Sequence, residues 1–199
     1  MIQTSSNFLI VLSSPSGAGK TTLCKELLRL DDNLRLSVSA TTRPMREGEE
    51  NGRDYHFLAR DDFQRDVQQD LFIEHVESFG HLYGTPKKSV GEFLNRGFDV
   101  LLDVDWRGGE RVAQEWPGRC ARIFILPPSL EALESRLLSR GLDDESVIKK
   151  RLARAEDEIP HWIDYDYVVV NDELPDAIED LMAIVRAERL KAKRFHAYV

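Results

Sequence analysis

The sequence is poor in cysteine. Of its 199 residues only Cys24 and Cys120 carry thiols, and neither has a metal-ligand spacing to the other or to a nearby histidine pair. Two such residues make no disulfide framework, so both read as reduced packing residues. No apolar run approaches the ~18 residues of a membrane span. The N-terminal MIQTSSN has neither a basic region nor a long apolar stretch, so no signal peptide is expected and the cytoplasm is the expected location. Basic charge is also scarce: 27 Lys and Arg face 35 Asp and Glu, a net charge of −8. That balance argues against nonspecific binding to nucleic acid or anionic membrane. It leaves room for local basic clusters that handle small anions. Repeats and low-complexity tracts are missing too.

What is present is an apolar fraction of 42%, enough for a hydrophobic core in one domain. Phe8 to Leu12 (FLIVL) is short and wholly apolar, the mark of a strand buried on both faces. Val100 to Val104, Ile123 to Leu126 and Tyr167 to Val170 repeat that mark. Helical patterns separate them. Thr21 to Leu30 places Leu23, Leu27, Leu28 and Leu30 near one face. Leu130 to Arg140 opens after Ser129, an N-cap residue, with Gly141 fitting the C′ position. Pro175 suits the first turn of a last helix. Strands alternating with helices predict an α/β fold built on a parallel sheet. Residues from about 39 to 95 read differently, with short strands at Tyr55 to Leu58 and Phe72 to Phe79 and turn signals at Glu47–Gly52 and Gly80–Gly84. They predict a small lobe inserted into the core. A second insertion, about 130 to 160, is charged, rich in arginine and read as helical throughout. The core then comprises about 1–38, 96–129 and 161–199.

SSPSGAGKTT, Ser13 to Thr22, joins the first strand to the first helix. A glycine-rich turn there aims successive backbone N–H groups into one concavity, and the helix adds its positive dipole end. Gly17 and Gly19 let the chain pass close to phosphate oxygens. Lys20 can reach the terminal phosphates and the Thr21 hydroxyl can hold Mg²⁺. The nucleotide site therefore comprises Ser14, Pro15, Ser16, Gly17, Ala18, Gly19, Lys20, Thr21 and Thr22, and ATP is the expected donor. Ser14 stands where the signature has its first glycine. Serine is tolerated there if its φ is negative.

SATTRPMREGEENGRDYHF, Ser39 to Phe57, places Arg43 and Arg46 three apart in a loop bounded by turn residues. Two guanidinium forks with the Tyr55 hydroxyl suit a monoester phosphate; a solvated basic loop is the alternative. The stretch resembles the guanylate kinase family, whose pattern here is SxTTRxxRxGExxGxDYxF. FIEHVESFGHLYGT (Phe72 to Thr85), LLDVDWRG (Leu101 to Gly108), ILPPS (Ile125 to Ser129), RLLSRG (Arg136 to Gly141), KKRLARAEDE (Lys149 to Glu158) and VVVND (Val168 to Asp172) continue the likeness in family order over almost the entire chain. The resemblance implies a P-loop parallel-sheet core with an inserted nucleoside-monophosphate lobe and a helical lid. It implies transfer of a phosphoryl group from ATP to GMP (and dGMP) with Mg²⁺.

Site residues follow from the same resemblance. Arg43, Arg46, Tyr55 and Tyr83 would hold the GMP phosphate. Ser39, Glu74, Gly84 and Thr85 would form the guanine site, with Asp105 close by. For Glu74 the chemistry agrees. Guanine presents adjacent N1–H and N2–H donors that one carboxylate accepts, whereas adenine presents an acceptor at N1. An unpaired buried carboxylate costs several kcal/mol, roughly a hundredfold in discrimination. Asp103 and Asp105, at period two near a strand's C-terminal end, are placed to support Mg²⁺ or touch the nucleoside; a strand-end cap is the alternative. Arg136, Arg140 and Arg151 match arginines that the family uses on the ATP phosphates, with surface ion pairing as the alternative. Asn171 and Asp172 would border the adenine. Arg107 departs from the family, which usually has Gln, and its role is open. A monoester phosphate has a second pKa of about 6, so no histidine is needed as a base. The alternative function is a catalytically inactive guanylate kinase-like protein-binding module.

Overall fold

The computed structural model of the chain describes residues 7–78, 80–139 and 144–194. Its main sheet has the order β2-β7-β1-β8-β9, formed by Leu34–Leu36, Asp99–Asp103, Leu9–Ser13, Cys120–Leu126 and Tyr167–Val170. Every pairing in it is parallel. β1 is central, and all five of its residues are buried, which is why LIVLS carries no polar alternation. Its side chains still alternate by face. Phe8, Ile10 and Leu12 pack with Leu23 and Leu27 of helix α1 (Lys20–Leu30) and with Leu181 and Val185 of α7 (Leu174–Arg189). Leu9 and Val11 point the other way, onto Val90 of α3 (Lys87–Asn95) and Val112 of α4 (Trp106–Glu115). Helices therefore cover both faces of the sheet. Each fully buried Leu, Ile or Phe contributes about 1.5–3 kcal/mol.

A second, four-stranded sheet has the order β4-β3-β6-β5, from His56–Phe57, Ala40–Thr41, His81–Pro86 and Phe72–Ser78. Helix α2 (Arg60–Gln68) closes over it by stacking Phe63 on Phe72, with ring centroids 4.6 Å apart. This small cluster also buries Ala40.

Several sequence expectations need correction. The segment Gly80–Gly84 is a turn only at Gly80, where φ is 76°; from His81 the chain is a strand paired antiparallel with β5. Gly84 thus lies inside β6, against the Phe63 and Phe72 rings. The expected strand end at Phe79 and helix cap at Gly141 lie outside the described residues. The 130–160 insertion is not helical throughout. Asp144, with φ −70° and ψ 156°, is extended and separates α5 (Leu130–Ser139) from α6 (Glu145–Glu158). The lobe drawn from about 39 to 95 takes in residues 87–95, which form α3, a helix not expected there, whose Val90 packs with β1 and β7 of the main sheet. Ser129 caps α5 as its sequence position implies, its Oγ accepting the Ala132 N–H at 3.1 Å.

Candidate active site

The loop between β1 and α1 lies at the C-terminal edge of the parallel sheet, where open α/β folds place their ligands. Gly17 and Gly19 both have left-handed backbones, with φ of 98° and 94°. A Cβ at Gly17 would also press into Leu133 and Leu137, and one at Gly19 into the Asn171 amide. Glycine is required at both positions for conformation and for space. No side chain caps the start of α1. The N–H groups of Gly19, Lys20 and Thr21 consequently have no acceptor among the described residues, the arrangement that takes an anion. Asn171 is buried and donates its amide to Ala18 O at 2.7 Å, which braces the loop from beneath. Ser14 does not have a positive φ, so it sits in the turn without strain, and its hydroxyl donates to Pro15 O at 3.0 Å.

Three adjoining cavities run along this edge. The first, about 170 Å³, is walled by Ser39, Glu74, Tyr83 and Asp105, among others. The second lies over the loop, from Ser14 to Gly17 and on to Thr21. Lys20, Tyr55, Tyr83, Asp103 and Asp105 line both, so the two open into each other. The third shares Gly17 and Gly19 with the second and adds Thr22, Arg136, Asn171 and Asp172.

In the first cavity Glu74 is the chemical feature. It is 3% exposed, and its Oε1 accepts the Thr85 hydroxyl at 2.7 Å. Burial pushes its carboxyl up to about 7; Asp105 adds to the rise, while Thr85 and Arg111 oppose it. Thr85 and Gly84 sit behind the cavity wall rather than on it, Thr85 acting on Glu74. Asp105 is the N-cap of α4, accepting the Gly108 N–H at 3.0 Å, a helix cap where a strand-end cap was the alternative, and it lines both cavities. Asp103 pairs with Lys20, Nζ to Oδ1 at 2.5 Å. Burial is the largest single influence and lowers the lysine's affinity for its proton, but Asp103 foremost, with Cys24 and Asp105, together outweigh it and the net shift is upward. The ammonium is held charged.

The arginines are less gathered. Arg43 and Arg46 line none of the three cavities. Arg43 lies 5.3 Å from the centre of the ring of Tyr55, which lines two of the cavities, and 2.7 Å from Glu49, and Arg46 is exposed. Arg151 reaches the loop through Ser16 Oγ at 3.5 Å. Arg136 donates to Asp172 O at 3.2 Å and lies at the third cavity. Arg140 lies outside the described residues. Arg107 faces solvent over the Trp106 ring, at 5.2 Å, and lines none of the three cavities.

Two contributors escaped the sequence reading. Arg154 of α6 lines the second cavity, donates to Ser78 Oγ of β5 at 2.8 Å, and lies 3.9 Å from Asp105. It thereby ties the lid helix to the lobe. Glu49 lay inside a recognised motif without a role. No local pattern separates either from ordinary surface charge.

Among the described residues no group of three or more Asp, Glu, His or Cys side chains is placed to hold a metal. Thr21 and Asp103 both face the cleft over the loop. One hydroxyl and one carboxylate suit a hard cation that keeps most of its water and takes the rest of its ligands from phosphate oxygens.

A guanylate kinase family model matches residues 6–188. The guanylate kinase of Maricaulis maris (strain MCS10) is 53% identical over 186 residues, covering 94% of this chain and 85% of that protein. That of Sphingopyxis alaskensis is 50% identical, covering 94% and 84%. A crystal structure of guanylate kinase from Anaplasma phagocytophilum superposes with a TM-score of 0.81 at 35% identity, over 98% of this chain and 92% of that one. With a family model spanning nearly the whole chain and relatives at half identity, this protein belongs to the guanylate kinase family.

Proposed function

We propose that this protein transfers the terminal phosphoryl group of ATP to GMP, giving ADP and GDP, with Mg²⁺ and in the cytoplasm. The observation that carries the reading is the shared wall of two cavities: a buried carboxylate at Glu74 in one, an anion-binding loop in the other, and Lys20, Tyr55, Tyr83, Asp103 and Asp105 common to both. A base read by Glu74 puts its own phosphate beside the loop. Membership of the family supports the same reaction. No helix among the described residues is long and apolar enough to cross a membrane.

In this reading Ser14 to Thr22 cradle the donor phosphates through backbone N–H groups. Lys20 leaves Asp103 for the transferring phosphoryl. Arg136, Arg140 and Arg151 neutralise the donor from the lid, and Asn171 braces the loop beside the adenine. Arg43, Arg46, Tyr55 and Tyr83 hold the acceptor phosphate, while Ser39, Glu74, Gly84, Thr85 and Asp105 shape the guanine and nucleoside site. Thr21 and Asp103 would hold Mg²⁺, and when bound the cation would supply charge neutralisation at the terminal phosphates. Deprotonated near pH 7, the acceptor needs no general base. The barrier is the approach of two polyanions, which preorganised positive charge lowers. Closure of lid and lobe excludes water that would otherwise hydrolyse ATP. A merely protein-binding role would leave the left-handed glycines and the held Lys20 without a purpose.

A coupled ADP-release assay with GMP, AMP, UMP and CMP offered in turn tests the reading. GMP should be used strongly and the others weakly. AMP used as well as GMP would remove Glu74 as the base reader.

A further inference from the structure

The acceptor arginine is oriented before any substrate arrives, and the agent is Glu49. Arg43 has five guanidinium hydrogens to place. Two go to the Glu49 carboxylate, from Nη2 to Oε1 at 2.7 Å and from Nη1 to Oε2 at 3.0 Å. A third, also on Nη1, goes to Pro44 O at 2.7 Å. The Nε–H and the second Nη2–H then remain, without an acceptor among the described residues. These two lie side by side on one edge of the guanidinium plane, the fork that matches two oxygens of a phosphate.

Glu49 is itself held. Its Oε2 accepts the Arg46 N–H at 2.7 Å, within the turn in which the Glu49 N–H donates to Arg46 O at 3.2 Å. The side chains of Arg43 and Glu49 are 11% and 19% exposed. The Tyr55 and Phe57 rings lie 5.3 and 5.6 Å from the guanidinium. The pair drives Arg43 upward and Glu49 downward in proton affinity, so both stay charged. Arg46, by contrast, is exposed and has no hydrogen bond or ion pair from its side chain among the described residues.

We infer that Glu49 is a positioning residue for phosphoryl acceptance. It pins one edge of Arg43 so that the Nε/Nη2 edge presents two parallel donors to the acceptor's phosphate, and it makes the Arg43 pair electrically neutral. The two acceptor arginines thus divide the work: Arg43 supplies direction, Arg46 supplies net charge. This inference rests on the acceptor reading of the lobe given above. An opposite role is conceivable for the same carboxylate, as an internal anion that the phosphate must expel. The unengaged fork argues against expulsion, because the phosphate has donors to take without displacing a carboxylate held by three hydrogen bonds.

The test is steady-state kinetics on wild type, Glu49→Gln, Glu49→Asp, Arg43→Lys and the Glu49→Gln/Arg43→Lys double variant, with GMP and ATP varied separately. Glu49→Gln should raise the KM for GMP about tenfold or more while the KM for ATP stays within about twofold, a split that general damage to the fold does not produce. Glu49→Asp, which keeps the charge, should recover part of the loss and serves if the glutamine variant folds poorly. Lysine has no fork, so in the Arg43→Lys background Glu49→Gln should change the KM for GMP less than about threefold. A fall in the KM for GMP in Glu49→Gln would establish the expelled-anion role and overturn the proposal. An unchanged KM, or an equal rise in both backgrounds, would overturn it too. Wild-type protein inactive on GMP would overturn the underlying acceptor reading and this inference together, whereas an active wild type with unmoved variants overturns the inference alone.

Discussion

Lys20 and Asp103 meet at 2.5 Å across the mouth of the sheet, and the same ammonium donates to Val104 O at 2.9 Å. One residue opens the first helix and the other ends a neighbouring strand, so the pair exists only because β1 and β7 run parallel side by side. Lys20 is thereby held at the junction of the first and second cavities. Lys20→Met should lower kcat by about a thousandfold or more, with the fold intact by circular dichroism. A correctly folded variant that turns over near the wild-type rate would remove Lys20 from the chemistry.

The proposed role of Glu74 predicts a pH dependence of activity. Its carboxyl titrates at about 7, raised first by burial and further by Asp105, with Thr85 and Arg111 acting against the rise. Only the carboxylate can accept two guanine N–H donors. The kcat/KM for GMP should therefore climb with pH through about 7 to a plateau. Glu74→Gln should lower it strongly and abolish that inflection, leaving the acceptor phosphate's own titration near pH ~6. A profile of the same shape in both proteins would move base recognition elsewhere.

The same group gives a stability prediction of definite sign. The folded state binds the Glu74 proton more tightly than an unfolded chain, whose glutamate titrates near 4.5. Its contribution to stability is thus full below that value and is lost as pH rises through about 7 in the ligand-free protein. Melting temperatures of wild type and Glu74→Gln should diverge in that window, the wild type losing ground as pH rises. A wild type that gains on the variant would contradict the burial argument.

Asn171 predicts a coupling between the last strand and the loop. Asn171→Ala leaves the buried Ala18 carbonyl without a donor. The cost should be about 1–3 kcal/mol in unfolding free energy, measured by urea titration, together with a higher KM for ATP. Unchanged values for both would mean that the loop keeps its shape unaided.

Ser14→Gly should be nearly silent. The serine lacks a positive φ and its hydroxyl is engaged by Pro15 O, so the anion nest formed by Gly17 to Thr21 does not depend on it. The KM for ATP should change less than about threefold, under roughly 0.7 kcal/mol, with a few tenths of a kcal/mol lost in stability to backbone entropy. Titration of ATP at saturating GMP decides it. A tenfold gain would reveal strain at Ser14, and a tenfold loss a direct contact with the nucleotide.

Much of the architecture was legible because its signals are local. A strand buried on both faces must be apolar throughout, so FLIVL announced itself; YVVV carries the same sign, yet it is the edge strand and leaves Val168 and Val170 exposed. The loop was legible because a left-handed turn that approaches phosphate needs glycine at fixed offsets, and Gly17 and Gly19 supply it. The short strands of the lobe were harder. β3 and β4 have two residues each, too few for any period to register, and β6 was masked by the glycine at its centre. The break at Asp144 also escaped, since the charges around it suit a helix as well as a turn.

By itself the sequence determined the parallel core, the anion-binding loop, the motif order that marks the family, and the identity of Glu74 as the base-reading candidate. The core and the loop depend on residue type at short spacing, whereas the role of Glu74 is what the resemblance to the family implies. Tertiary structure alone decided that Lys20 is held by Asp103, that Arg154 spans from lid to lobe, that Asn171 braces the loop from 153 residues away, and that Glu49 takes one edge of Arg43 and leaves the other. Those are matters of direction and distance between side chains. Spacing along a chain says which donors exist, and only the packed fold says which of them have already been taken.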